Sequence, residues 1–423
     1  MKVITILTIL SLTICSCKND KTLGINNDNL KKTTVEIQGI DSWKIGKYSD
    51  FFDSINFVKL ETNPESIIGR IDKVLSYKGK YFILDQVQRK AVLAFDTKGN
   101  YLGTIGKIGK GPGEYAEPND IAIDRHSDQI AVWCNTSQKI LFYDLNGVFM
   151  KSLKLKHYIK SFKFLGKHNI AIYLDVDLNL DNNSPNLIVI DRKGNEIYSA
   201  FNGEGMNGPD RGGFDFLSQT DDKGVTLLPG YSNNIFTITD KVIANKFEID
   251  FNFNNIPKSL LAKSKTEFKK ELRKSNYAFV NNHFVFPDYL IFNFVYKKMI
   301  YSSIFSTKSS KLFYANLWQN NINGLLTGSG MFYPGNENEV ISVYDPSNIE
   351  YLKEIINKPD FSGDLNQSTY QAFKDMKIDK ELLNRLKAQI YSTKYDILEN
   401  DIEFVNSINS TDNPVLIIKH LKS

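Results

Sequence analysis

The 423-residue chain has little cysteine and little histidine, and what is missing narrows its chemistry. Of the three cysteines, Cys15 and Cys17 sit in the N-terminal apolar segment. The rest of the chain therefore has a single thiol, Cys134, and no disulfide scaffold is expected in it. Cys134 follows Trp133 in an apolar run and reads as a small core residue. The five histidines, His126, His157, His168, His283 and His420, lack metal-ligand spacing. No Gly-x-Ser-x-Gly elbow occurs, which removes a serine hydrolase of that type. A formal charge of +4 is close to balance, and no nucleic-acid partner is expected.

What is present begins with a leader. Met1-Lys2 is followed by Val3 to Ile14, an apolar stretch of twelve residues that matches a signal h-region and is too short to cross a bilayer as a helix. Leu12-Thr13-Ile14-Cys15-Ser16-Cys17 resembles a lipobox, with cleavage after the small Ser16 and Cys17 as the lipidated first residue; an ordinary secretory signal is the alternative. Lys18-Asn19-Asp20 is similar to the lysine-plus-acid signals that send lipoproteins of the Bacteroidetes to the cell surface, although Asn19 departs from a doubled acid. These resemblances imply a chain held to the outer membrane by a lipid. Residues 18–50 are expected to form a flexible tether, most clearly the polar stretch Lys18 to Lys32, with the folded domain at 51–423.

The domain is read from an internal repeat. Phe95-Asp96-Thr97-Lys98-Gly99, Tyr143-Asp144-Leu145-Asn146-Gly147 and Ile190-Asp191-Arg192-Lys193-Gly194 share one spelling. The Asp can accept backbone hydrogen bonds and the Gly takes a left-handed conformation, so each marks a tight hairpin. The aspartates are 48 and 47 residues apart, and a weaker copy, Ile238-Thr239-Asp240, follows 49 residues on. A fifth copy at Phe305-Ser306-Thr307-Lys308-Ser309 restores the period once a 20-residue helical insertion, 257–276, is set aside. Val343-Tyr344-Asp345 reads as a sixth, only 39 residues later.

A period near 47 fits one four-stranded propeller blade. Removing a second insertion, 346–412, leaves 280 residues between Ile55 and Leu421, about 5.9 periods. The expected fold is all-β: a six-bladed β-propeller of four-stranded antiparallel blades with helical insertions in its C-terminal half, a seven-bladed or irregular propeller being the alternative. Closure calls for strands from both termini in one blade, and Asn56–Leu60 and Val415–Ile418 are available for it. Lys258 to Ser275 and Tyr370 to Ile390 carry amphipathic patterns expected to pack on the propeller.

Leu60-Glu61-Thr62, Tyr81 to Asp85, Phe95 to Gly99, Gly109 to Tyr115 and Asn413-Pro414-Val415-Leu416 together resemble the six-bladed propeller lipoproteins common in Bacteroidetes, which are related to NHL-type propellers. The resemblance implies the fold more than any reaction.

Two glycine-rich segments invite a ligand. Gly106 to Tyr115 lacks the register of a P-loop; Gly203 to Gly208 matches the dinucleotide fingerprint, but Pro209 follows and no βαβ unit surrounds it. Both read as inter-blade loops at the mouth of the central channel, where a binding face would include Arg89, Lys110, Gly111, Gly113, Glu114 and Tyr115; the bland reading is that the glycines only let the chain cross. Asp175, Asp177, Asn179 and Asp181 place oxygens at alternate positions as a calcium loop does, yet Leu180 and Asn186 occupy its two diagnostic positions. No cofactor is expected, with calcium held open. The function expected is an envelope-anchored binding or scaffold module for a glycan, peptide or envelope protein. The alternative is a propeller hydrolase or lyase acting on a sugar, lactone or peptide.

Overall fold

The computed structural model describes residues 32–40, 44–175, 185–202, 216–219, 224–261, 263–322, 332–336, 338–350, 353 and 399–422. They build six antiparallel blades around one axis. Blade 1 comprises Lys73–Tyr77, Lys80–Asp85, Ala91–Asp96 and Tyr101–Thr104, from the innermost strand outward. Blade 2 comprises Asp120–Asp124, Gln129–Cys134, Lys139–Asp144 and Phe149–Lys154. Blade 3 comprises Ile159–Leu165, Asn169–Leu174, Pro185–Asp191 and Glu196–Asn202. Blade 4 comprises Leu217–Ser218, Val225–Leu227, Asn234–Ile238 and Ile243–Asp250; blade 5 comprises Phe279–Val285, Tyr289–Tyr296, Met299–Ser306 and Leu312–Ala315. Blade 6 takes Tyr333–Pro334, Glu339–Tyr344 and Val415–Leu421 from the C-terminal end and Phe52–Lys59 from the N-terminal end, with Val415 opposite Lys59 and Leu416 opposite Val58.

The apolar spelling of the strands follows from where the core sits. Buried apolar residues fall into six clusters, one at each interface between neighbouring blades. The middle strands of a blade are covered on both sides, so Tyr81 to Leu84 and Ile130 to Cys134 run apolar without alternation. Cys134 is buried at the interface of blades 1 and 2, as its apolar context implies. Outer strands face water, and Phe149–Lys154 is accordingly half polar and mostly exposed.

The repeated turn joins the third and fourth strands of its blade. Asp96 Oδ1 accepts the amides of Lys98 at 2.8 Å and Asn100 at 2.9 Å, and Asp144 and Asp191 repeat the pattern. Hydrogen bonds from the Asn195 side chain and backbone hold the Asp191 carboxyl below its usual range. Gly99 is required twice over: its φ is +88°, and an added Cβ would lie 2.1 Å from the Lys59 carbonyl oxygen of blade 6.

Two copies of the repeat need correction. In blade 4 the carboxylate's place is taken by the Thr239 hydroxyl, which accepts from Lys241 and Val242, while Asp240 accepts from Asn169 of blade 3. Asp345 follows the second strand of blade 6, not the third, and caps the 3-10 turn Pro346–Asn348. Its short spacing arises because the last two strands of that blade come from elsewhere in the chain.

The expectation of a tether reaching residue 50 is also corrected. Thr33–Glu36 adds a fifth, parallel strand to the outer edge of blade 4, and Ile45–Lys47 pairs in parallel with Leu317–Gln319 after blade 5. Val35, Ile37 and Tyr48 are buried, so residues 33–40 and 44–50 lie strapped against two blades. Exposed blade edges recruit such strands because their backbone groups are otherwise unpaired. Asn413 completes the closure as a latch: its side chain donates to the carbonyls of Glu61 at 2.7 Å and Ser66 at 2.9 Å and accepts from the Ile68 amide at 2.8 Å. Helices Lys258–Leu261 and Lys265–Lys274 lie in the link between blades 4 and 5, and Glu399–Asn406 precedes the last strand. Tyr370 to Ile390 lies outside the described residues.

Candidate functional site: the central channel

All six innermost strands start at the face that carries the inter-blade links and the turns between second and third strands. At that face the ring encloses a cavity of about 220 Å³. Each blade contributes one of Lys73, Asp120, Lys160, Ser218, Asn282 and Tyr333 to its wall. The link residue Asn119 and the turn residues Gln86 and Asn135 line its mouth. A second cavity of about 30 Å³ continues the channel, and Leu75, Lys163, Gln219 and Pro334 border both.

Two lysine–aspartate pairs lie in the wall. The Lys73 ammonium of blade 1 lies 2.5 Å from Asp120 Oδ1 of blade 2, with both side chains less than a tenth exposed. Asp120 Oδ2 accepts the Phe162 amide of blade 3 at 3.0 Å, so this one carboxylate ties three blades together. Lys160 is 3.2 Å from Asp175, which follows the second strand of the same blade. A buried pair of this kind is held by its mutual attraction and added hydrogen bonds against a large desolvation cost.

The wall also holds Lys163, whose ammonium donates to the Phe162 carbonyl at 3.3 Å, Asp72, which pairs with Arg70, and uncharged polar side chains. Asn282 Oδ1 accepts the His283 amide at 2.8 Å. The Ser218 hydroxyl is buried and has no hydrogen-bond partner among the described residues. A buried hydroxyl left without a partner forfeits its hydration, so the site favours anything that restores a hydrogen bond there.

The glycine-rich link lies elsewhere, packed between the outer parts of blades 1 and 2. Arg89 donates to the carbonyls of Pro64 at 3.3 Å and Glu65 at 2.7 Å, bracing the loop before blade 1. Glu114 turns back on its own loop, accepting the Gly111 amide at 2.9 Å with Lys107 at 3.3 Å; the Gly111 amide first, then Lys107, holds its carboxyl below the usual range. Tyr115 is buried, donates to the Ile105 carbonyl at 2.8 Å, and its phenol is pushed well up by burial. Gly113 has a φ of +74°, and an added Cβ would meet the Phe149 ring at 2.5 Å. Lys110 and Gly111 are exposed. None of these residues lines the central cavity.

Of the expected calcium ligands, Asp175 lines the cavity as the partner of Lys160, and Asp177, Asn179 and Asp181 lie outside the described residues. Among the described residues, no three His, Cys, Asp or Glu side chains gather to hold a metal. Cys17 and the segment Gly203 to Gly208 also lie outside them. Sequence reasoning missed the channel wall itself. A signal was available: Lys73 and Asp120 are one repeat period apart, 47 residues, and equivalent positions on adjacent inner strands must be neighbours in a closed ring.

No curated protein matches this chain. Among solved structures it is similar to a protein of Bacteroides fragilis described as exported, at 17% identity and a TM-score of 0.65 over 92% of this chain and all of that one. It is also similar to a DUF4221-family protein of Bacteroides vulgatus, at 10% identity and a TM-score of 0.41 over 69% and 91% of the two chains. A virginiamycin B lyase of Staphylococcus aureus aligns at 13% identity and a TM-score of 0.34 over 68% and 82%. At such identities the likeness concerns the fold. The model of a domain of unknown function, DUF4934, matches residues 32–420, and this six-bladed propeller belongs to that family.

Proposed function

We propose that this chain is an envelope-anchored binding propeller that takes a small, polar, uncharged group, such as a sugar ring or a polar peptide side chain, into its channel mouth. The observation that carries this reading is a small, largely polar cavity to which every blade contributes a side chain, with the Ser218 hydroxyl buried behind its wall and without a partner among the described residues. The cavity falls below the roughly 300–1,000 Å³ of drug-sized sites, which favours a small group or the tip of a larger partner. Amide side chains and the aromatic residues Phe216, Phe284 and Tyr333 complete the lining, a mixture suited to hydroxyl and amide ligands. The engagement of Asp120 and Asp175 by lysines supports binding over acid-base catalysis. Anchoring rests on Cys17 and its apolar leader, and the relation to an exported Bacteroides protein supports export.

The test is a thermal-melt screen of the full chain against glycans and peptides, with and without calcium. A ligand at about 100 times its dissociation constant stabilises the folded state by about 2.7 kcal/mol. Ser218→Ala is expected to leave the ligand-free melt unchanged and weaken the ligand about fivefold, the worth of one hydrogen bond near 1 kcal/mol. A ligand whose affinity ignores both Ser218→Ala and Asn282→Ala would move the site out of the channel. For the anchor, the wild-type chain should incorporate a labelled acyl group and Cys17→Ala should not, and an unlabelled wild type would overturn lipidation.

A further inference from the structure

The helical hairpin between blades 4 and 5 stands outside the repeat and carries an unusual charge. Its apolar side is used internally: Leu260 and Phe268 are buried, and the Phe268 ring lies 4.7 Å from that of Tyr231. Its outer side exposes six basic residues, Lys258, Lys263, Lys269, Lys270, Arg273 and Lys274, against two acidic ones. Both acids are occupied within the hairpin, Glu271 by Lys263 and Glu267 by the Ser264 cap. The other five cations make no ion pair among the described residues, an excess comparable to the +4 of the whole chain.

Beside them, in the same link, Phe253 is fully exposed at 101%. It does not dangle. The turn that carries it is fixed by Asp250 Oδ1, which accepts from the Asn252 amide at 2.8 Å and the Asn255 side chain at 2.6 Å, and Asn252 holds a φ of +54°. An exposed aromatic side chain on a fixed turn, in the same link as a cluster of exposed cations, has the composition of an interfacial membrane contact.

The N-terminal strap leads to this corner. Lys32 pairs with Glu248 at 2.5 Å, and the Ile37 amide donates to the Asp250 carbonyl at 2.8 Å. Only fourteen residues separate Cys17 from Lys32. Fully extended they span at most about 50 Å.

We propose that the hairpin basic face and Phe253 form a docking surface for anionic phospholipid headgroups, turning the channel mouth toward the bilayer; the inference extends the envelope-anchored reading above. Clustered Lys and Arg near a membrane surface are drawn to anionic headgroups. The tether favours a bilayer over an acidic protein, because it delivers this corner to the membrane. The topology fixes the consequence for the mouth, since the hairpin sits in an inter-blade link on the face where the inner strands begin.

The test is co-sedimentation of the full chain carrying Cys17→Ala, which lacks the acyl group, with vesicles of phosphatidylglycerol or of phosphatidylcholine. The leader's N-terminal amine and Lys2 favour phosphatidylglycerol too, so the folded surface is read as the preference in excess of that of a peptide of residues 1–31. Phosphatidylglycerol should be preferred by about tenfold or more, and high salt should abolish the preference. The combined Lys269→Glu, Lys270→Glu, Lys274→Glu variant should remove the excess with an unchanged melt, and Phe253→Ser should weaken binding roughly tenfold. Equal partition between the lipids, or an excess that survives the triple variant, overturns the proposal. Binding of polyglutamate without binding of phosphatidylglycerol also overturns it and assigns the patch to an acidic protein. Because the acyl group is absent throughout, failure here is distinguishable from failure of the lipid anchor, which is read separately by acyl labelling at Cys17.

Discussion

The link from Gly106 to Tyr115 and the wall of the channel hold polar groups of similar kinds, but they use them in opposite ways. In the link, Glu114, Tyr115 and the backbone of Gly111 bond to one another and to blade 1, and the glycines pack against rings of blade 2. In the channel, a buried ion pair fixes the blades while a serine hydroxyl is left over. A conspicuous motif in a repeat protein can thus be spent on joining one repeat to the next, whereas the channel cavity comes from unremarkable positions that only the ring brings together.

The comparison can be broken or sharpened by substitution. The largest effect is expected from Asp120→Ala, which strands the Lys73 charge between blades; chemical unfolding should show a loss of about 3–5 kcal/mol. Replacing both partners, Lys73→Met with Asp120→Leu, should recover most of that loss, and a double variant as unstable as the single one would mean that the Phe162 contact, not the ion pair, is what Asp120 supplies. Gly113→Ala comes next, at about 2–3 kcal/mol, because a left-handed backbone and the Phe149 ring both oppose a methyl group. It should leave affinity for any channel ligand unchanged once folded.

Glu114→Gln tests the link by acid. The folded carboxyl lies below its usual range, so its contribution is present above the unfolded pKa and fades as pH falls through the folded value. Wild type and variant should differ at neutral pH and converge in acid, and a constant difference across that range would contradict the hydrogen-bonded carboxylate. Lys110→Ala is expected to do least, within about 0.5 kcal/mol in stability. A ligand that depends on Lys110 would return the binding face to the link.

How much of this was legible in the sequence depended on the range over which each feature acts. The hairpin turn is local, so Asp96, Asp144 and Asp191 announce it and the carboxylates do what their spelling predicts. Closure was also legible, because strands near both ends were left over once the periods were counted. Thr239 and Ser306 were harder, since a hydroxyl accepts the turn amides there and both the spelling and the length of the turn change. The strap was missed because residues 33–50 contain too few apolar residues to form a sheet of their own; they become strands only against finished blade edges. The channel was missed for a related reason, as Lys73, Asp120 and Ser218 lie on three different blades and no window along the chain contains them.

The closure of blade 6 also sets an order of events. Read from the N-terminus, Thr33–Glu36 needs blade 4, Ile45–Lys47 needs the segment after blade 5, and Phe52–Lys59 needs Val415–Leu421. Each successive strand of the first sixty residues waits longer for its partner, and the last waits for almost the whole chain. Contacts so distant along the chain are slow to form, and a chain that emerges N-terminus first must carry Phe52, Ile55 and Val58 uncovered until synthesis is nearly complete. The seven residues Val415–Leu421 therefore act as a completion signal: until they arrive the ring is an open arc with two sticky ends.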